Sequence, residues 1–182
     1  INGPLGEVNH KISDDLLEIL INDITNNQDQ LPILQHAMMR TIEYWKSHYS
    51  PNESIDIHHY KSIGTMKKAL SNHADEAYNE LNETEKEGCK KMFKVLVNFE
   101  NLNITRNPME FGKIVKITAV EPAVLINIIN TFRTSNRSFL SPKASVKIID
   151  TTIIDISHES LLRLWNRLRV WIKEEMESFE IY

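Results

Sequence analysis

The chain has 182 residues, a formal charge of −4, 41% hydrophobic and 25% charged residues. That balance excludes wholesale disorder, and the length suits one domain or two small ones. No run approaches the roughly 18 apolar residues of a membrane span, and the mild acidity speaks against bulk nucleic-acid binding.

The sequence opens at Ile1, as expected of a piece processed or excised from a longer chain. Ile1 to Glu7 lacks the basic and apolar regions of a signal peptide. Ile12, Leu16, Leu20 and Ile24 recur every four residues and predict a helix over about 13–25. Ser13 suits its N-cap, and Asp14 and Asp15 suit its dipole. Asn26 to Asp29 reads as a turn. A second helix is expected over about 30–47. Pro32 stands in its first turn, where a missing N–H costs nothing, and Leu31, Leu34, Met38, Ile42 and Trp45 form its stripe. A loop at 49–53 precedes a short helix over 58–62, capped by Asp56 and ended by Gly64. Met66, Leu70, His73, Ala74, Ala77 and Leu81 share one face of a helix over about 65–81, with His73 at the edge of the core. Asn82 and Glu85 then form an N-x-x-E pattern akin to a capping box. The next helix therefore starts near Glu83, with Cys89, Met92, Phe93 and Leu96 on its face. A lone cysteine there reads as core, excludes an internal disulfide or a cysteine-based zinc site, and makes the cytoplasm the expected compartment.

A domain boundary is expected at Asn82. Beyond it, 102–105 reads as a strand and Asn107-Pro108 as a helix start. A further helix starts within 118–122 and carries Leu125, Ile128, Ile129 and Phe132. Two β-rich stretches, 138–141 and 151–157, flank a loop at 142–150. A long helix from about His158 to the C-terminus carries Leu161, Trp165, Leu168 and Trp171, with acidic residues from Glu174 to Glu180 as a solvated face. Helix, strand, helix, helix, strand, strand, helix is the order of a winged helix. The expected fold class is mainly α: a helical, bundle-like domain over 1–81, then a winged-helix domain over 82–182 with a small β-hairpin wing.

The chemistry-bearing residues are few. The helix that a winged helix lays in a major groove, Glu121 to Arg133, holds one Arg at its far end and no Lys. Base readout and phosphate neutralisation need more than that, and Arg137, Lys143 and Lys147 in the wing add little. His158-Glu159 lacks the second His that a zinc-protease motif requires, since Leu162 stands there. His58 and His59 are adjacent and are expected to diverge on a helix, with no third ligand nearby, so no metal is expected. Ser157, His158 and Glu159 are sequence neighbours, which does not make a catalytic triad. None of the five glycines opens a phosphate-binding loop, so the chain itself is not expected to be an enzyme. His158 falls where a strand gives way to a helix. An imidazole there can donate to an anion such as a phosphate, or serve only as a cap.

Three stretches occur together. They are Leu31-Pro32-Ile33-Leu34-Gln35-His36-Ala37 running on to Tyr44-Trp45, Ser71-Asn72-His73-Ala74-Asp75-Glu76-Ala77-Tyr78, and Ile156-Ser157-His158-Glu159-Ser160-Leu161 followed by Trp165, Arg167-Leu168 and Trp171. In this order they resemble the bacterial STAND NTPases, signal-transduction ATPases with numerous domains, and most nearly the novel STAND type often joined to WD repeats. Ile1-Asn2-Gly3-Pro4 is similar to the exit from that family's nucleotide-binding core. The resemblance implies a regulatory arm that closes over a P-loop core and stabilises the ADP-bound off state. It implies that Leu31 and Pro32 lie near the adenine, although Gln30 replaces the usual Gly before them. It implies that His158 contacts the ADP β-phosphate, although its surroundings differ from the Met-His-Asp form. The implied partners are the P-loop core and sensor repeats, with a homo-oligomer on activation. No cofactor is expected in this chain; ADP or ATP with Mg²⁺ is expected in the full-length protein. The chain alone is expected to hold little or no nucleotide. A protein-interaction scaffold without nucleotide contact is the alternative, and a DNA-binding regulator a lesser one.

Overall fold

A computed structural model describes residues 11–24, 30–50, 52–100, 103–134 and 136–180. The turn read at Asn26 to Asp29, the stretch Ile1 to Pro4, Pro51 and Leu102 lie outside them. The chain is mainly helical with small antiparallel sheets, and divides into two compact units, Ile1–Asn72 and His73–Tyr182. Among the described residues no single helix is long and apolar enough to cross a membrane.

The first unit holds α1 (Asp14–Ile24), α2 (Leu31–His48), α3 (Ile57–Ser62) and the start of α4 (Thr65–Asn79). Leu16, Leu20, Leu34, Ala37, Trp45, Ile55 and Tyr60 form its core, which is the face that the four-residue spacing predicts. Ser13 caps α1 by accepting the Leu16 N–H at 3.3 Å, and its own hydroxyl donates to Asp56 at 2.8 Å. Asp56 caps α3, accepting the Ile57 N–H at 2.6 Å, while the Asp56 N–H donates to His59 Nδ1 at 2.8 Å. This is a capping box with His in the place usually held by Glu or Gln. It overturns the divergence expected of His58 and His59, whose ring centroids lie 3.7 Å apart. Turning back to accept the Asp56 N–H brings the His59 ring onto its neighbour.

Gly64 ends α3 with φ +90°, and a Cβ there would lie 2.6 Å from Asn72 Nδ2. Tyr60 is 1% exposed. Its hydroxyl donates to Asp23 at 2.9 Å and accepts the Met66 N–H at 2.8 Å, an otherwise orphan donor in the first turn of α4. Tyr60→Phe should therefore cost about 1–3 kcal/mol, because a buried N–H loses its acceptor. Urea unfolding of the variant checks this.

The second unit contains the remainder of α4, then α5 (Glu83–Val95), β1 (Val97–Glu100), β2 (Asn103–Arg106), β3 (Met109–Glu110), α6 (Phe111–Thr118), α7 (Pro122–Phe132), β4 (Leu140–Ser141), β5 (Ile153–Ile156), α8 (Ser160–Leu164) and α9 (Asn166–Glu180). Asn82 and Glu85 close the expected capping box, with bonds of 3.0 and 2.9 Å. Pro122 opens α7 as expected.

The expected strand at 102–105 is present as β2, in an antiparallel hairpin with β1 that pairs Val97 with Arg106 and Glu100 with Asn103. Two expectations are corrected. Asn107-Pro108 starts no helix: the Asn107 side chain donates to the Val95 carbonyl and its N–H to the Leu96 carbonyl, satisfying the end of α5. The chain then runs through β3 before α6 begins. The long final helix is broken at Trp165, whose backbone is extended. The acidic face is partly committed as well, since Glu174 accepts from Lys90 at 2.8 Å and Glu175 pairs with Lys94.

The three-stranded sheet runs β3-β5-β4, antiparallel throughout, with Met109 opposite Ile154 and Leu140 opposite Ile156. The core is aromatic. Phe93 meets Phe132 and Trp165 edge-on, each at 5.0 Å, and Trp165 meets Trp171 at 5.4 Å. The indole N–H of Trp165 and the Nε–H of Arg167 both donate to Asp75 Oδ1, at 2.9 and 2.8 Å, and the Arg167 guanidinium lies 4.1 Å from the Tyr78 ring centroid. The second and third sequence stretches thus meet through Asp75 and Tyr78. Cys89 is fully buried, and burial pushes its thiol well up in pKa. His73 is buried edge-on to Phe139, at 5.1 Å.

Candidate functional site

Leu31 and Pro32 stand exposed at the start of α2, Leu31 at 52%, while Leu34 turns into the core. Gln30 before them is already helical, with φ −88° and ψ −7°, and makes no side-chain cap. Both belong to the first unit. His158 belongs to the second.

His158 follows β5 and precedes α8, a helix of five residues whose N-cap is Glu159. The start of a long helix expected at His158 is therefore replaced by a short turn, in which the His158 carbonyl accepts the Leu161 N–H at 3.0 Å. The His158 imidazole is exposed and caps nothing among the described residues. It borders a cavity of ≈ 590 Å³ that is also lined by Arg133, Lys143 and four serines, Ser138, Ser141, Ser145 and Ser157. No carboxylate lines it.

Arg133 reaches this cavity from the end of α7. It is 5% exposed. Its Nε donates to Asn130 Oδ1 at 2.9 Å, and its Nη1 to the carbonyls of Pro142 and Lys143 at 3.3 and 3.2 Å. Those bonds pin the loop after β4. All three acceptors are neutral, and among the described residues no carboxylate pairs with this guanidinium. Burial lowers its pKa from the ordinary arginine value. A largely desolvated cation with only neutral acceptors thus faces a polar lining, its charge uncompensated among the described residues.

In the sequence, Arg133 and Lys143 count only among cations too few for duplex binding. The structure gathers them with His158 instead. One signal pointed there: Arg133 lies four residues after Ile129, on the apolar stripe of α7, so its side chain follows the buried face. Arg137, the other wing cation, is occupied by a two-pronged pair with Glu80. Among the described residues, no three or more His, Cys, Asp or Glu are grouped so as to hold a metal ion.

Among curated proteins, a "Ribonuclease T2-like" protein of Candida glabrata is 31% identical over 93 residues, half of this chain and 21% of that protein. The chain thus spans about a fifth of that relative's length. No solved structure matches. The family model described as Novel STAND NTPase 1 matches residues 1–182. A match along the full sequence means that the chain belongs to the novel STAND NTPase 1 family.

Proposed function

We propose that this chain is the regulatory arm of a STAND NTPase, closing over a P-loop core and stabilising its ADP-bound off state. The observation that carries this reading is the family match across the whole chain. The order α5, β3, α6, α7, β4, β5, with β3 paired to β5 and α6 and α7 bent by 119°, supports a winged helix for the second unit, β4 and β5 being its wing. The separate hairpin β1–β2 is then an insertion between the first helix and the first strand.

In this reading His158 contacts the β-phosphate, and Leu31 with Pro32 approaches the adenine. The core holds the nucleotide and its Mg²⁺ and performs the hydrolysis; the arm catalyses nothing. Sensor repeats and, on activation, further copies of the protein are its partners. A charge-assisted hydrogen bond to phosphate contributes about 1.5–3 kcal/mol, similar to a typical allosteric coupling. Since the bond exists only in the closed arrangement, ADP favours that state and exchange for ATP releases it.

In the protein with its P-loop core, His158→Ala should raise the ADP off-rate by about 10- to 100-fold and raise basal activity. Stopped-flow release of a fluorescent ADP measures this, and an unchanged rate with unchanged activity would remove His158 from the switch. The duplex-binding reading loses support because Arg133 is buried and Arg137 is paired. A gel shift at low salt should show no DNA complex.

A further inference from the structure

We propose that the cavity bounded by Arg133, Lys143 and His158 is a phosphoryl-group site built wholly from the second unit, with Arg133 as its buried anchor. It would take a phosphate or diphosphate anion. This deepens the reading of His158 above and rests on it only for which molecule carries the phosphoryl group.

The guanidinium of Arg133, a residue that is 5% exposed, has left most of its water behind. Three neutral oxygens satisfy Nε and Nη1, but none supplies a negative charge. Nη2 has no acceptor among the described residues. Nη2 is not fully buried and opens toward the cavity, where an anion would neutralise the charge. Lys143 and His158, which also line the cavity, form no ion pair among the described residues either. Asp155, opposite Ser141 in the β4–β5 pairing, pairs through Oδ2 with Arg106 at 2.8 Å, while its Oδ1 is buried without a partner among the described residues and does not line the cavity.

The lining then selects the anion. A guanidinium fork, an ammonium, an imidazole and serine hydroxyls make a donor set spread over several directions. A carboxylate offers two coplanar oxygens and would leave much of that set unused. A tetrahedral phosphoryl group presents three oxygens and up to two charges, and matches both the fork and the point charge. The ≈ 590 Å³ volume is ample for a diphosphate.

The test is an NMR titration of the 182-residue chain with sodium pyrophosphate at low ionic strength, with inorganic phosphate and ADP in parallel. The expected result is saturable binding with a Kd on the order of millimolar, and a shift of the Arg133 Nε–H resonance. Lys143→Ala and His158→Gln lie on the surface and should each weaken binding about tenfold. Arg133 also pins the loop, so its part is read from its own resonance in the unaltered chain. Comparable affinities for pyrophosphate and ADP, both lowered by Lys143→Ala, would show that the phosphoryl end is what the pocket reads. Absence of saturable binding, or binding indifferent to both variants, would overturn the proposal. An unchanged ADP off-rate in the core-containing His158→Ala protein, beside intact pyrophosphate binding here, would instead remove the switch role and leave the pocket standing.

Discussion

Trp165→Ala should destabilise the second unit by about 3–5 kcal/mol, a large fraction of the roughly 5–15 kcal/mol that keeps a domain folded. Trp165 is fully buried and touches Phe93, Phe132 and Trp171. Truncation removes the largest side chain of the core and leaves a cavity that the surrounding aromatics cannot collapse to fill. It also strips Asp75 of one of its two donors. Trp165→Phe should cost less, because most of the volume stays and Arg167 still holds Asp75. Guanidinium unfolding followed by circular dichroism separates the two. Equal losses in both variants would mean that the indole N–H, not the packing, dominates.

Acidification should weaken the first unit well before ordinary carboxylates protonate. His59 is 1% exposed, and its Nδ1 must stay unprotonated to accept the Asp56 N–H. Its Nε2 is buried without an acceptor among the described residues. Burial chiefly, and then the charge of His58, push its pKa below the ordinary 6.5, while the carboxylates of Asp56 and Glu53 pull the other way. The unfolded chain therefore takes up its proton at a higher pH than the folded one. Stability is full above about pH 6.5 and falls as pH drops below it, by at most about 1.4 kcal/mol per pH unit, until the folded histidine also titrates.

Asp56 adds a second stage. The Ile57 N–H first, and Ser13 second, hold its carboxyl below the ordinary 3.8. Its contribution is present above that value and is lost as pH falls through the lowered one. His59→Gln keeps an acceptor for the Asp56 N–H, Gln being a usual residue at this place in a capping box. It should flatten the slope between pH 7 and 5. Hydrogen exchange of the α3 amides at the two pH values measures it, and an unaltered slope would reassign the acid sensitivity to another group.

Those helices were legible in the sequence whose apolar stripes are long. Leu16 and Leu20, Leu34 and Trp45, Ala74 and Ala77, and Met92 and Phe93 all lie on faces that four-residue spacing marks. The Asn82–Glu85 box and Pro122 fixed two helix starts, because capping chemistry is local. What the sequence hid was settled by distant partners. Asn107 looks like a helix cap, yet it serves the end of α5. Trp165 continues a helical stripe, yet the core and Asp75 draw it out of helical geometry and split the last helix. His59 is not a capping residue by type, and only its return to Asp56 makes it one. The candidate site was half legible. His158 stands out at the end of a strand, but its companions come from the end of α7 and the loop after β4, and no linear spacing joins those three segments.

The three tryptophans of the chain are divided between the units, all of them buried: Trp45 in the first, Trp165 and Trp171 in the second. Each half of the molecule thus contains its own fluorophore. A Trp165→Phe, Trp171→Phe double variant would leave emission from Trp45 alone, while Trp45→Phe would silence the first unit and leave the second visible. Both indole environments are dry, so each should redden on exposure to water. Two colour shifts, recorded on the same denaturation ramp, would show whether the halves melt together or in turn.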